Sequence, residues 1–160
     1  PSGLFILHMI TADNGVITSI KINITPPNNT QLPREWLAYS PEMLIERYGE
    51  PSKVDFLLAG IRDTNSQPIA WYTIDLFFEK SELIVEYGNS EILYSKDKTI
   101  CPLLDQYESV TLWFGSKAEN QPRGGTPLSE ATNLEIRDFT ELMTGTSSDG
   151  CFELNVDIFP

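Results

Sequence analysis

The amino-acid sequence predicts an α+β fold. The expected architecture is a mostly antiparallel β-sheet of two hairpins plus further strands, with one short helix and a longer C-terminal helical region packed on it. Alternating apolar and polar residues flank turn signals in residues 4–25 and 69–88. Helix signals bound residues 41–48, and helical spacing of apolar residues returns within 127–144. No clean boundary divides the chain, so residues 1–160 are predicted to form a single domain.

Residues 4–25 are predicted to form the first hairpin. Asn14-Gly15 is the preferred pair for a tight type I′ turn, and strand-forming residues flank it on both sides. A two-residue turn fixes which residues lie opposite one another. The expected pairs are Met9 with Ile20, Leu7 with Ile22, and Phe5 with Ile24. With these pairs, the apolar faces of both strands lie on the same side of the hairpin.

His8 is the only histidine of the chain, and it falls on the outer face of this hairpin. The same pairing places it opposite Lys21, with no carboxylate beside it. A general base needs an oriented partner, which this environment lacks. We therefore expect His8 to be a solvated strand residue and not a catalytic one.

A short helix is predicted over residues 41–48, because both of its ends are marked. Ser40 suits the N-cap, and Pro41 suits the first helical position, where a missing N–H loses no hydrogen bond. Gly49 can adopt the positive φ that ends a helix, and Pro51 prevents the helix from continuing.

Further strands are predicted at 53–60, 69–88 and 110–114, with a turn at 79–82 in the second of these segments. One face of the second hairpin carries Tyr72, Ile74, Leu76 and Phe78, and the other carries Trp71, Thr73, Asp75 and Phe77. Strict alternation of Phe152, Leu154, Val156 and Ile158 with polar residues predicts a C-terminal strand. Between these strands, segment 127–144 is predicted to be helical, with a break near Asn133 and a stop at Gly145.

The formal charge of −12, from 11 basic and 23 acidic residues, argues against nucleic-acid binding, which needs a positive surface. It argues equally against attraction to an anionic bilayer, and no apolar run reaches the roughly 18 residues of a membrane span, so direct membrane insertion is not expected.

Motifs for catalysis and cofactor binding are missing. The sequence has no nucleophile elbow, no HExxH zinc motif and no P-loop. Asp63, Asn65 and Gln67 resemble the start of a calcium loop, but Pro68 and Ile74 stand where glycine and a bidentate glutamate are needed. We therefore expect no cofactor and no metal. Glu42 and Glu46 share one helix face and are expected to be solvated charges, not an acid–base pair.

Cys101 and Cys151 lie fifty positions apart, without a CxxC motif or neighbouring histidines. Metal ligation and thioredoxin-type redox chemistry therefore lack their residues. A structural disulfide between the two is favoured over two free buried thiols. The sequence begins at Pro1 and not at Met, which fits a removed leader or a trimmed domain. Together these features favour an extracytoplasmic location, whether secreted, periplasmic or anchored at the cell surface.

Trp71 and Trp113 are both predicted on the strand face opposite the core. On an open sheet they would form a stacking platform for a sugar or a partner protein. The favoured alternative is that the helical region at 127–144 covers this face and makes both tryptophans part of the core.

The segment Leu44-Ile45-Glu46-Arg47-Tyr48-Gly49-Glu50-Pro51-Ser52-Lys53-Val54 resembles the pattern LLxxYGxPxxV of uncharacterised bacterial lipoprotein-type extracytoplasmic proteins. In outline, the helix, Gly-x-Pro turn and following strands are similar to the outer-membrane-assembly lipoprotein domain (SmpA/OmlA) and to β-lactamase-inhibitor-like folds. The resemblance covers about a tenth of the chain, and its matched positions are structural. It implies a binding or assembly domain without catalytic residues. The lipobox cysteine of such proteins is missing near Pro1, which trimming would explain.

The function predicted from the sequence is that of a non-enzymatic extracytoplasmic binding or structural domain, such as the soluble part of a lipoprotein. Its expected partner is a protein or a cell-envelope component. The alternative is a carbohydrate-binding module that uses Trp71 and Trp113. A hydrolase is the third hypothesis, and it requires a deep pocket with carboxyl groups of divergent pKa.

Overall fold

The computed structural model describes residues 4–26, 34–62, 68–89, 99–100, 107–115, 125–145, 151–155 and 158. Side chains are described for the same residues, except 59–62, 68–71 and 99–100. The strands in these ranges are β1 (Phe5–Asp13), β2 (Val16–Thr25), β3 (Lys53–Arg62), β4 (Pro68–Phe78), β5 (Leu83–Asn89), β6 (Thr99–Ile100), β7 (Ser109–Phe114), β8 (Thr126–Pro127) and β9 (Phe152–Glu153). The helices are α1 (Pro41–Tyr48), α2 (Leu128–Ala131) and α3 (Ile136–Thr144), with 3₁₀ turns at Arg34–Tyr39 and Glu79–Ser81.

Seven strands form one antiparallel sheet in the order β1-β2-β7-β5-β4-β3-β8. The short strands β6 and β9 pair antiparallel in a separate two-stranded sheet. This architecture confirms the predicted α+β class and its mostly antiparallel sheet.

Local signals set the limits of α1. The Ser40 hydroxyl accepts a hydrogen bond from the Met43 amide at 3.2 Å, and Pro41 occupies the first helical position. Gly49 has φ +86°, and its amide donates to the Ile45 carbonyl at 2.8 Å. The predicted start and end of this helix are therefore confirmed.

The C-terminal helical region is divided as predicted. The Thr132 amide and hydroxyl both donate to the Leu128 carbonyl at 2.8 Å, and the Thr132 hydroxyl then accepts from the Leu134 amide at 3.0 Å. These bonds end α2 and separate it from α3. With nine residues, α3 is the longest helix in the described ranges, and no helix there has the length and apolarity to cross a bilayer.

The core lies on one face of the sheet. The predicted apolar face of β4 is confirmed, since Tyr72, Ile74, Leu76 and Phe78 are all at most 3% exposed. Leu44 and Ile45 of α1 and Phe139 of α3 belong to the same buried cluster. Trp36, in the first 3₁₀ turn, is completely buried in it, although no sequence pattern predicts this residue in the core.

The register of the first hairpin differs from the prediction. Asp13 pairs with Val16 and Ala12 with Ile17, as a two-residue turn requires. A β-bulge then shifts the register, so Thr11 pairs with Ser19. Beyond the bulge, Met9 pairs with Lys21, His8 with Ile22, Leu7 with Asn23 and Phe5 with Thr25. The predicted pairs of Met9, Leu7, Phe5 and His8 were therefore wrong by one residue.

The bulge has a physical cause in a distant strand. Thr18 is left without a cross-strand partner, and its carbonyl lies against Gly115, where an added Cβ would be 2.4 Å from the oxygen. The Thr18 hydroxyl also donates to the Thr11 carbonyl at 3.3 Å. The extra residue thus fits around the end of β7, which turn chemistry alone does not reveal.

The predicted C-terminal strand is shorter than expected. Among the described residues of this segment only Phe152–Glu153 is a strand, although Phe152 and Leu154 are buried as the alternation predicts. The Asn155 amide donates to the Ala131 carbonyl at 2.7 Å, so this part of the chain is bonded to α2 and not to a strand. Val156 lies outside the described residues, and Ile158 is 40% exposed.

Candidate functional site

The β1–β2 hairpin presents a large apolar surface to solvent. Seven apolar side chains of the hairpin are 49–66% exposed, and we call them the apolar hairpin surface: Phe5, Ile6, Leu7, Met9, Ile10, Val16 and Ile17. Exposed apolar patches of this kind mark interaction sites in folded proteins. The surface is therefore the first candidate functional site.

This surface arises because β1 is an edge strand, that is, the outermost strand of the sheet. Every residue from Phe5 to Asp13 is exposed, and β2 is the only strand that pairs with β1 in the described part of the chain. Apolar residues occupy both faces of β1, a composition typical of strands that are covered on both sides. Lys, Arg, Glu and Asp, which protect many outer strands from association, are missing from residues 4–12.

His8 lies on this strand and is exposed. Because of the bulge it pairs with Ile22 and not with Lys21, so the register argument for its role no longer holds. Its exposure on an outer strand independently supports a solvated side chain.

A second candidate lies on the sheet face opposite the core. The register aligns five polar side chains on adjacent strands, and we call them the polar row: Asp55, Asp75, Glu86, Thr111 and Asn23. Asp55 and Asp75 are 0% and 1% exposed. Each has one carboxyl oxygen, Oδ1, with no hydrogen-bond partner in the described structure. Two buried carboxyl groups therefore lie side by side on paired strands.

The polar row raises the pKa of its central carboxyl group. Burial, followed by the negative charges of Glu86 and Asp55, raises the pKa of Asp75 to about 8, against opposing effects of Lys53 and a hydrogen bond from Thr73. Burial also raises the pKa of Glu86, against the effects of Lys21 and a hydrogen bond from Thr111. Asp75 is consequently protonated at neutral pH.

Cationic groups border the row at both ends. Lys53 Nζ lies 2.5 Å from Asp55 Oδ2 and 4.9 Å from the centre of the Phe77 ring. Lys21 Nζ lies 4.0 Å from the centre of the Trp113 ring. A second cross-strand row lies two residues along each strand from the polar row, and it consists of Phe77, Ile84, Trp113 and Lys21. With Asp75 protonated, the remaining carboxyl groups face two lysines.

The chemistry available to the polar row is limited by access. Two cavities of about 320 Å³ lie near the β4–β5 turn, and neither is lined by a side chain of the row. No group of three or more metal-ligating side chains occurs in the described ranges. A hydrolase needs carboxyl groups of different pKa at a solvent-filled cleft, and here Asp75 is enclosed. Asp55 and Asp75 are 0% and 1% exposed, and neither of these two cavities reaches them.

The strand register assigns positions 71 and 113 to the same face of the sheet. Phe77 pairs with Ile84, which pairs with Trp113, so Phe77 marks the level of Trp113 on β4. Position 71 is six residues from Phe77 on the same strand, which is about 20 Å. The side chain of Trp71 lies outside the described residues, whereas Trp113 is half-buried. The register therefore separates the two positions and does not bring them together as one stacking platform.

The expected cover of this face by the C-terminal helical region was wrong. The Phe139 ring of α3 lies 6.0 Å from that of Phe152, which lies 5.6 Å from that of Phe56 on the core face of β3. The helix α3 therefore packs on the core face, and not on the face that carries Trp113.

Cys101 lies outside the described residues, so its disulfide with Cys151 stays a prediction. No cysteine in the described ranges is free. Ile100 pairs with Phe152 and Thr99 with Glu153, so the strand before position 101 pairs with the strand after Cys151.

Sequence reasoning missed the polar row. Glu42 and Glu46 are exposed, as expected, but the buried carboxyl groups were not identified. A signal was present, because Asp55 and Asp75 each stand between two apolar residues within a strand. Their alignment with Glu86 depends on pairing across β3, β4 and β5, which no local pattern encodes.

Comparison with known proteins identifies no relative: no family model, no curated protein and no solved structure matches the chain.

Proposed function

We propose that this protein is a non-catalytic binding domain that contacts a protein or another cell-envelope component through the apolar hairpin surface. The observation that carries the proposal is the exposure of seven apolar side chains on a chain of net charge −12. We also propose an extracytoplasmic location, supported by the favoured pairing of Cys101 with Cys151.

The energetics favour a covered hairpin. Burying the exposed half of each apolar side chain contributes on the order of 1 kcal/mol per residue, or roughly 5–10 kcal/mol for the surface. This gain is comparable with the entropy cost of association, so a partner that also bonds the outer edge of β1 would bind with moderate affinity.

The non-catalytic part of the proposal is supported by the polar row. Its central carboxyl group, Asp75, is 1% exposed, and the two cavities near the β4–β5 turn are lined by none of its members. His8 is exposed on an outer strand, where no pairing with a carboxylate orients it.

Site-specific photo-cross-linking tests the proposal. Met9 on β1 and Met43 on α1 are 49% and 45% exposed, which makes them a matched pair. Replacement of Met9 by benzoylphenylalanine in the native cells should give a discrete adduct, recovered from the envelope or extracellular fraction. Replacement of Met43 should give none. No adduct at position 9, or equal adducts at both positions, would refute the hairpin as the binding surface.

A further inference from the structure

We propose that a second copy of this chain binds the apolar hairpin surface, by antiparallel pairing of β1 with β1 of the other copy. The two seven-stranded sheets would then form one continuous sheet across a two-fold axis. This inference rests on the proposed function, because it names the partner of the same surface.

The geometry of β1 calls for a strand as its neighbour. β1 has nine residues, all exposed, and no strand of the described ranges bonds its outer edge. A long apolar outer strand is a template for pairing with another chain. A partner strand would bond this edge and shield apolar side chains on both faces, whereas a globular patch would cover one face only.

Charge does not prevent a copy of the same chain from pairing at β1. The net charge of −12 makes two copies repel over most of their surfaces, but residues 4–12 carry no charged side chain. Antiparallel pairing centred on His8 keeps the two Asp13 residues ten strand positions apart, about 33 Å. This distance is several screening lengths at physiological salt, so their repulsion is small. A basic partner, by contrast, would form no ion pair with β1 except at Asp13, the last residue of the strand.

The sequence of β1 also fits itself. Only every second residue of β1 points its N–H and C=O groups toward the outer edge. These residues lie opposite each other in two antiparallel copies only if the two-fold axis passes through a residue position, and not between two residues. With the axis at His8, Ile6 pairs with Ile10, Leu7 with Met9, and His8 with its own copy. Apolar residues then meet apolar residues on both faces of the new strand pair.

The expected affinity is moderate. The five half-exposed apolar side chains of β1 supply roughly 400 Å² per copy, below the usual size of a specific interface. Hydrogen bonds between the two β1 strands add to this contact. We therefore expect a dissociation constant in the micromolar range, with monomer and dimer both populated between about 1 and 100 μM.

Sedimentation equilibrium of the purified chain over this range tests the inference. The wild type should approach twice the 18.0 kDa of one chain. Met9→Lys should raise the dissociation constant at least about tenfold, because it places a charge in the strand pair, and Met43→Lys should leave it unchanged. Both positions are about half exposed, and far-UV circular dichroism should show that both variants fold.

A cysteine at the axis gives a second readout. Under mild oxidation His8→Cys should yield a disulfide-linked dimer, and Met43→Cys should not. A wild type that stays monomeric at 100 μM, a dimer insensitive to Met9→Lys, or growth beyond the dimer would each overturn the inference. So would a monomer that binds neutral phosphatidylcholine vesicles through the hairpin, because the occupant would then be lipid.

The two proposals can fail separately. A monomeric purified chain whose Met9 probe captures a different protein in native cells would remove the dimer and keep the binding function. A purified dimer whose Met9 probe is never cross-linked in native cells would remove the binding function, and the pairing of β1 would then be a property of the purified chain alone.

Discussion

At the scale of single residues, Asp75 is a buried carboxyl group whose ionised form is disfavoured by its surroundings. It is 1% exposed, it lies opposite both Asp55 and Glu86, and its Oδ1 has no described hydrogen-bond partner. Burial and two neighbouring carboxyl groups raise its pKa from 3.8 to about 8. The folded chain therefore binds a proton that the unfolded chain releases at neutral pH, and this difference acts on stability.

Asp75→Asn should stabilise the fold at alkaline pH. The pKa of Asp75 is raised on folding, so its contribution to stability is fully present below about pH 4 and is lost as the pH rises through about 8. Asparagine resembles the protonated form and does not titrate. The difference in unfolding free energy between variant and wild type should grow by up to about 1.4 kcal/mol per pH unit across this window, then level off.

Urea denaturation at pH 5, 6, 7, 8 and 9 measures this difference. Glu46→Gln is the matched control, since Glu46 is an exposed carboxyl group on α1. A variant-minus-control difference that stays flat with pH would show that Asp75 is ionised in the folded chain.

At the scale of elements, sequence signals worked where the determinants are close in the chain. The limits of α1 follow from Ser40, Pro41 and Gly49, all within ten residues, and the structure has them as predicted. The first hairpin failed beyond its turn because the bulge at Thr18 accommodates Gly115, which lies almost a hundred positions away. Turn chemistry fixed the first two pairs, and a long-range contact changed the rest.

Gly115→Ala should therefore destabilise the sheet more than Gly49→Ala. Both glycines have positive φ, +103° and +86°, so alanine is strained at either position. Only at Gly115 would the new Cβ also overlap a backbone oxygen, that of Thr18, at 2.4 Å. We expect a loss on the order of 2–4 kcal/mol at Gly115 and about 1–2 kcal/mol at Gly49, measured by chemical denaturation. Equal losses would mean that the β2–β7 contact yields easily.

Ser40→Ala should weaken α1 by about 1 kcal/mol. The variant removes the hydroxyl oxygen that accepts a hydrogen bond from the Met43 amide at 3.2 Å. Thermal denaturation should show a melting temperature lower by about 2–4 °C. Ser40→Asp supplies another acceptor and should melt close to the wild type; a loss as large as that of Ser40→Ala would mean that the cap is not what Ser40 contributes.

At the scale of the whole molecule, the fold class could be predicted and the candidate sites could not. Alternation in β4 identifies its buried face, because one strand's pattern reports one strand's burial. The polar row forms because two strand pairings bring Asp55, Asp75 and Glu86 together. The exposure of β1 follows from its position at the edge of the sheet. Both are properties of strand order, which alternation within one strand does not specify.

The two-stranded sheet of β6 and β9 shows how distant parts of the chain are joined. A bridge between Cys101 and Cys151, the pairing that the sequence predicts, would close a loop of about fifty residues. In the chain-entropy treatment such a loop is worth roughly 4 kcal/mol. A thiol assay on denatured, unreduced protein should find no free sulfhydryl, and the same assay after reduction should find two. Reduction should also lower the denaturation midpoint of the wild type but not that of a Cys101→Ser/Cys151→Ser double variant. Two free thiols before reduction would exclude the bridge, and with it the main support for an extracytoplasmic location.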